Sequence, residues 1–382
     1  MDFDLSEDQR LLKDSVDRLV ADQYQFEQRK KYMREPAGYS AAMWDQITEM
    51  GLLGLPFEET LGGFGGGPVE TAIVMDAFGR GLVLEPYFAT VVLGGGLLRR
   101  AASASVLGAL APKVASGKLK LAFGHVERHS RYNLADVSTT ARKDSGNYVL
   151  DGAKSVVIHG DTADKIFITA RLSGERRARN GVGLFLIDPA TAGVTRRGYP
   201  TQDGQRAAEI TLTNARVSAG DLISDNALPI IEHVIDEAIA ALCAEAVGAM
   251  QSMQDLTLEY LKTRKQFGRA IGSFQVLQHR SVDMLVAVEQ ARSMALFAAV
   301  MAGEENPIER RKAISAAKVQ IGRSARHVGQ EAIQLHGGIG MTNEYAVGHY
   351  FKRVTMIDQL YGDADTHLSY LAAQGGLFGK VA

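Results

Sequence analysis

The sequence predicts an α+β fold in three consecutive parts: an N-terminal helical domain, a middle antiparallel β domain and a C-terminal four-helix bundle. Three observations predict it. Apolar residues recur at helical spacing over residues 1–118. Over 119–224 the period shortens to that of strands separated by turns. Over 225–382 the helical period returns, in stretches long enough for a bundle. A chain of 382 residues also exceeds one simple core, so two or three domains are expected.

The first helix follows Ser6, an N-cap succeeded by Glu7 and Asp8, whose charges suit a helix N-terminus. Leu11, Leu12, Val16 and Leu19 then mark one face. A second helix covers 41–50, with Trp44 and Ile47 on one side. The run from Gly62 to Gly67 has a phosphate loop's glycines. It follows no strand and lacks a Lys-Ser or Lys-Thr ending, so it reads as a turn before a helix over 69–78. In the middle part, residues 148–150 run into Asp151-Gly152, a hairpin signature, and 155–158 follow as the next strand. Residues 165–169 and 183–187 are short apolar strands, and 208–212 alternate. The segment 171–180 holds four arginines and reads as a solvated loop, with phosphate contact as the alternative. Long helical segments at 232–262, 274–301, 309–335 and 346–371 complete the chain.

The net charge of −2 offers no basic surface to nucleic acid. Cys243 is the only cysteine, which excludes an intrachain disulfide and a cysteine-built metal site; its apolar setting predicts a buried, reduced thiol. His279, His349 and His367 have no metal-ligand spacing. The N-terminus has no basic segment leading into an apolar core, and no apolar run approaches a membrane span. A cytoplasmic chain without membrane contact is expected.

Two glycine-marked segments carry chemistry. Arg264-Lys265-Gln266-Phe267-Gly268 leads to Ile271-Gly272-Ser273-Phe274-Gln275, and Gln334-Leu335-His336-Gly337-Gly338-Ile339-Gly340-Met341 closes a later helix. Glycine lets a backbone approach a pyrophosphate, and arginine offers a planar fork of donors. Singly, Arg264 is an ordinary charge at a helix C-terminus, and Gly337-Gly338 an ordinary cap.

Together, RKQFG and QLHGGIG resemble the acyl-CoA dehydrogenase family of flavoenzymes. The order of the three parts resembles it too, as does GLLGLPFEETLGGFG near the N-terminus. The stretches LVLEPYFATVVLGGGLLR, ADVSTTARK, ALCAEAVG and RKQFGRAIGSFQVLQHR are most similar to its pimeloyl-CoA dehydrogenase small-subunit branch. The resemblance implies FAD as cofactor, an acyl-CoA substrate and an electron-transferring flavoprotein as electron acceptor. It implies that Arg264, Gln266, Phe267, Gln275, Gln334, Leu335, Gly337 and Gly338 bind FAD, with His336 structural.

In that family a carboxylate removes the α proton of the thioester while the β hydrogen leaves as hydride to the flavin. Many members place the carboxylate in a Tyr-Glu-Gly-Thr run. The matching run here is Leu360-Tyr361-Gly362-Asp363-Ala364-Asp365, with glycine in the glutamate's place. Asp363, next to it, is the one catalytic candidate. Asp363 and Asp365 read first as an acidic turn or a cap for the helix beginning near His367. Other members carry the base on the first bundle helix. Ala238 stands there, with Ile239 where an arginine is expected. Glu237, rotated by about 100° on the helix, reads as surface charge. Of the Thr-Glu-Pro-x-x-Gly-Ser-Asp run at the flavin ring, only Asp136 and Glu127 match. Val156-Val157-Ile158 replaces Trp-Ile-Thr, so neither a stacking ring nor a hydroxyl is offered.

What a chain of this family gives its neighbour's FAD is therefore present, and what it uses itself is missing. The expectation is an α₂β₂ hetero-oligomer with a larger homologous subunit supplying the glutamate and the ring contacts. Met284, Leu285, Val288, Met294 and Phe297 are expected at a broad subunit interface. The rivals are a self-sufficient homotetramer with Asp363 as base and a non-catalytic scaffold.

Overall fold

A computed structural model describes residues 5–375; residues 1–4 and 376–382, the extreme ends of the two helical parts, lie outside the described residues. The chain opens with helices α1 (Glu7–Gln23), α2 (Phe26–Tyr32), α3 (Ala41–Glu49), α4 (Pro68–Gly81), α5 (Gly95–Ala101) and α6 (Ala104–Ala115). Strands β1 (Leu121–Gly124), β2 (Thr140–Asp144), β3 (Asn147–Ile158), β4 (Lys165–Arg171), β5 (Val182–Ile187), β6 (Val194–Pro200), β7 (Arg206–Val217) and β8 (Leu222–Ser224) follow. Then come α7 (Leu228–Thr263), the short hairpin β9 (Lys265–Gln266) and β10 (Arg269–Ala270), α8 (Gln275–Met301), α9 (Pro307–His336), α10 (Val347–Gln359) and α11 (Ala364–Ala373). The start of α1 is as expected: Ser6 accepts from the Gln9 amide and the Gln9 side chain returns to the Ser6 amide, a reciprocal capping box.

The sheet runs β6-β7-β3-β2-β4-β5-β8, with β1 beside β4. Pairing is antiparallel except for β1 with β4 and a single β2–β4 position. The hairpin expected at Asp151-Gly152 does not form. β3 runs straight through those residues, and the turn lies earlier, at Ser145 and Gly146, with φ of 50° and 85°. Two consecutive residues at positive φ give the twist a tight hairpin requires. Gly152 instead marks an irregularity against β7, where a Cβ would lie 2.7 Å from the Thr139 Cα. Leu150, Ile166, Ile168, Phe185 and Ile210 form the apolar core beneath this sheet.

By internal contacts the chain makes two compact units. One holds the residues up to 31, 68–83 and those from 239 onward; the other holds 32–67 and 84–238. In the first unit α4 and α7 meet backbone to backbone. A Cβ on Gly79 would sit 2.0 Å from the Glu245 carbonyl oxygen, and one on Gly248 1.9 Å from that of Asp76. One turn along, Glu245 is buried in a two-pronged ion pair with Arg353 of α10, at 2.6 and 2.7 Å.

Two further expectations need correction. The last helical segment is two helices: α10 stops at Gln359 because Tyr361 and Gly362 take φ of 59° and 116°, and Asp363 then caps α11. Among the described residues, α8 is long and apolar enough by length and composition to cross a membrane, although only 33% of its apolar window is buried. Glu289 and Arg292 interrupt it, so no unbroken apolar run announced it.

Candidate cofactor and catalytic site

Arg264 follows α7 directly and leads into the β9–β10 hairpin. Phe267 and Gly268 close that hairpin at φ of 51° and 78°. The turn pushes Phe267 outward, 89% exposed. Arg269 stacks on Phe274, 4.0 Å from the ring centre. α9 ends at His336, and Gly337 turns away with φ 64°. A Cβ on Gly337 or Gly338 would meet nothing within 4 Å, so the surface there is open.

These two segments, distant in sequence, are joined by a ring stack. Tyr260, one turn before Arg264, lies 4.6 Å from His336, and His336 lies 4.9 Å from Tyr345. The buried His336 donates from Nδ1 to the Ala332 carbonyl at 2.8 Å. Burial holds its pKa below the ordinary histidine value, which suits a structural imidazole. Arg264, Gln266, Gln275 and Gln334 are exposed beside this stack; Leu335 is buried and offers only backbone. Exposed arginine, exposed aromatic ring and open glycines fit the pyrophosphate and adenosine of a dinucleotide. Tyr260 and Tyr345 escaped the sequence reading; the one-turn offset of Tyr260 from Arg264 was the available signal.

The Leu360–Asp363 turn differs in every respect. Lys318, buried on α9, donates to the carbonyls of Ile357 and Leu360, the latter at 3.1 Å. His367 is buried on α11; its Nδ1 lies 2.9 Å from the Ser315 hydroxyl and its Nε2 3.3 Å from the Tyr361 carbonyl. Burial pushes its pKa down to about 3. Asp363 accepts from the Thr366 amide at 2.8 Å and the Thr366 hydroxyl at 2.6 Å. Those donors hold its carboxyl below the usual range. The catalytic candidate is thus committed as the N-cap of α11.

At the other family base position, Ala238 is buried. Its neighbour Glu237 is not the surface charge expected. It is buried and paired with Arg100 of α5 at 2.6 Å, with Arg99 at 3.8 Å. Gly96, packed against Val234, lets α5 approach α7 and bring these arginines to the carboxylate.

On the β domain, Val156 takes φ 52° at an irregularity of β3, a conformation that β-branched residues rarely adopt. Glu209 holds this bend, accepting from the hydroxyls of Ser155 and Tyr199, each at 2.9 Å. Glu127 is buried and accepts from Ser138, Thr139 and, at 2.6 Å, Lys154. Burial alone would raise its pKa; the adjacent Lys154 ammonium, together with the hydrogen bonds from Ser138 and Thr139, outweighs that and holds the carboxyl well below the usual range. Burial also lowers Lys154, to about 8.

The four-arginine segment is a largely exposed loop, as expected, but three of its arginines also pin it from within. Arg171 is buried and donates to the carbonyls of Ala135, Arg176, Ala178 and Asn180, while Arg176 and Arg177 grip the buried Asp136. These bonds tie Arg171 and one side of Arg176 and Arg177 to the protein, while the outer faces of Arg176 and Arg177 stay exposed. A cleft of about 520 Å³, lined by Arg128, His129, Ser155, Arg196, Arg197 and Glu209, went unnoticed in the sequence; only the Arg196-Arg197 pair signalled it.

The chain matches the acyl-CoA dehydrogenase N-terminal domain over 6–118, the middle domain over 122–215 and the C-terminal domain over 228–376. It is 31% identical to acyl-CoA dehydrogenase IpdE2 of Mycolicibacterium smegmatis, across 97% of this chain and 99% of that one. Among solved structures, the FAD complex of PigA superposes with a TM-score of 0.88 at 25% identity, covering 99% and 100% of the two chains. A variant of the Tcur3481-Tcur3483 steroid ACAD superposes with a TM-score of 0.85 at 25% identity, covering 96% and 97%. This chain belongs to the acyl-CoA dehydrogenase family. It is an FAD flavoprotein oxidoreductase that acts on acyl-CoA.

Proposed function

We propose that this chain is the half-site subunit of a hetero-oligomeric acyl-CoA dehydrogenase. With a larger homologous partner, in an α₂β₂ cytoplasmic assembly, it converts a dicarboxyl-CoA of the pimeloyl type to the trans-2-enoyl-CoA. One observation carries this reading: the position that bears the family's base is a glycine in a conformation that excludes a side chain, while the FAD-binding edge stays open.

When bound, FAD supplies the hydride acceptor. Arg264 and Gln266 would hold its pyrophosphate, Phe267 would offer an apolar surface to it, and Gly337 and Gly338 would leave room for it. The partner supplies the carboxylate and the ring contacts that Gly362, Ala238, Val156 and Ile158 do not. The electron acceptor would be an electron-transferring flavoprotein, as the family resemblance implies. The two-chain name of the Tcur3481-Tcur3483 enzyme supports a paired assembly. The pimeloyl preference rests on the resemblance of the sequence stretches. Val276, Val282, Leu285 and Val286 of α8 are exposed and suit a subunit interface, whereas Met284 and Val288 are consumed inside this chain.

The test is a flavin spectrum of the purified chain, followed by anaerobic pimeloyl-CoA, glutaryl-CoA and a medium-chain acyl-CoA, with and without the partner. Bleaching only with the partner is expected. Prompt bleaching by the chain alone, abolished in Asp363→Asn, would instead establish the self-sufficient enzyme. An assembly whose activity is unchanged when this chain's Arg264 is removed would establish the scaffold.

A further inference from the structure

We infer that the His367 imidazole fills the place a side chain at 362 would take, so the Leu360–Asp363 turn is closed to a base by its packing as well as by its sequence. The significance of this turn rests on the family reading above; the geometry does not.

Gly362 has φ 116°, where L side chains are strained. The space is closed as well. A Cβ there would lie 2.7 Å from Nε2 and 3.0 Å from Cδ2 of His367, closer than real atoms approach. A carboxylate at 362 would have to enter through the imidazole.

The imidazole is not a loose end that can swing aside. His367 is 2% exposed, and both ring nitrogens are engaged. The Tyr361 carbonyl can only accept, so Nε2 carries the proton, and the Ser315 hydroxyl donates to Nδ1. Rotating the ring would strand two buried polar groups. Nor can the turn slide away. Lys318 already holds the carbonyls of Ile357 and Leu360, so three carbonyls of this stretch are tied to buried side chains of α9 and α11. A Cβ on Gly322 of α9 would lie 2.3 Å from Asp358 Oδ1 and 3.3 Å from the Ala364 Cβ, so α9 is in direct contact with the ends of α10 and α11 that flank the turn. His367 is also no substitute base, because it is enclosed and its one lone pair, on Nδ1, already accepts from the Ser315 hydroxyl.

The test is a double-mutant cycle on the full chain, reading the melting temperature of Gly362→Ala in the native background and in His367→Ala. The φ strain is common to both backgrounds; the clash is not. We expect the loss caused by Gly362→Ala to shrink by about half or more once the ring is gone. Equal losses in both backgrounds overturn the inference. His367→Gln, which keeps a donor and an acceptor, should restore most of the stability lost in His367→Ala and most of the penalty at 362. If Gly362→Ala folds in neither background, ¹⁵N NMR of the native histidines decides. A neutral, Nε2-protonated His367 at about pH 5, below the ordinary histidine value, supports the inference; a charged ring overturns it. The cycle is independent of the flavin-bleaching assay, so the half-site reading and this inference can fail separately.

Discussion

Gly337 and Gly362 are both glycines at positive φ in the same compact unit, and they serve opposite ends. At Gly337 a side chain would meet nothing within 4 Å, and the neighbouring Phe267 and Arg264 project outward. At Gly362 a side chain would meet the His367 ring at 2.7 Å. One glycine leaves room for a ligand; the other leaves room for the protein itself. The contrast teaches that glycine in a family motif has no single meaning. The surrounding packing distinguishes a site kept open from a site filled in.

The largest effect that could break this contrast is catalytic. The isolated chain with FAD should dehydrogenate acyl-CoA slower by about 10²–10⁴, the usual worth of a positioned proton transfer, or roughly 3–5 kcal/mol of barrier. Stopped-flow bleaching of the flavin measures it, and turnover at the rate of an ordinary family member would end the half-site reading. Next comes the stability of the two glycines. Gly362→Ala combines backbone strain with overpacking and should cost about 2–5 kcal/mol, whereas Gly337→Ala meets only the strain, about 1–2 kcal/mol. Urea melts of both variants give the difference; equal costs would mean the turn is not filled as described.

Arg264→Ala should weaken FAD retention about 10- to 100-fold, roughly 1.5–3 kcal/mol, without changing the melting temperature of the FAD-free chain. Flavin content after gel filtration of the assembly checks it. A last comparison is in pH dependence. Burial lowers both His125 and His367 from 6.5 to about 3. Between those values the unfolded chain binds more protons than the folded one. Stability present above pH 6.5 is therefore lost progressively as pH falls toward 3. Melting temperatures across that range should fall less steeply in His367→Gln than in the native chain. An unchanged slope would mean His367 is not held neutral.

The two glycine-marked segments of the candidate cofactor edge were legible in the sequence because their parts are local: a hairpin turn, a helix end and the residues flanking each. The glycine at 362, in the place where the family resemblance sets a glutamate, was legible for the same reason, since a residue's identity is visible without coordinates. The helical and strand periods marked the change from helices to sheet and back, and the Ser6 cap marked the start of α1. Turn placement was less secure. Asp151-Gly152 satisfied a hairpin signature that Ser145-Gly146 used instead, because pairing with β7 carries β3 straight through residue 151.

What only the tertiary structure decided are pairings between residues far apart in sequence. Arg100 reaches Glu237 and converts an expected surface charge into a buried ion pair. Arg176 and Arg177 close on Asp136. Tyr260 and Tyr345 bracket His336 and join the two cofactor segments. Ser315, Lys318 and His367 converge on the Tyr361–Gly362 turn and close it. Sequence alone fixes which groups a chain can offer and the period in which it offers them. Whether a carboxylate is free or bonded, and whether a glycine faces open space or an imidazole, depends on which distant atoms desolvate it, and that is settled only when the helices pack.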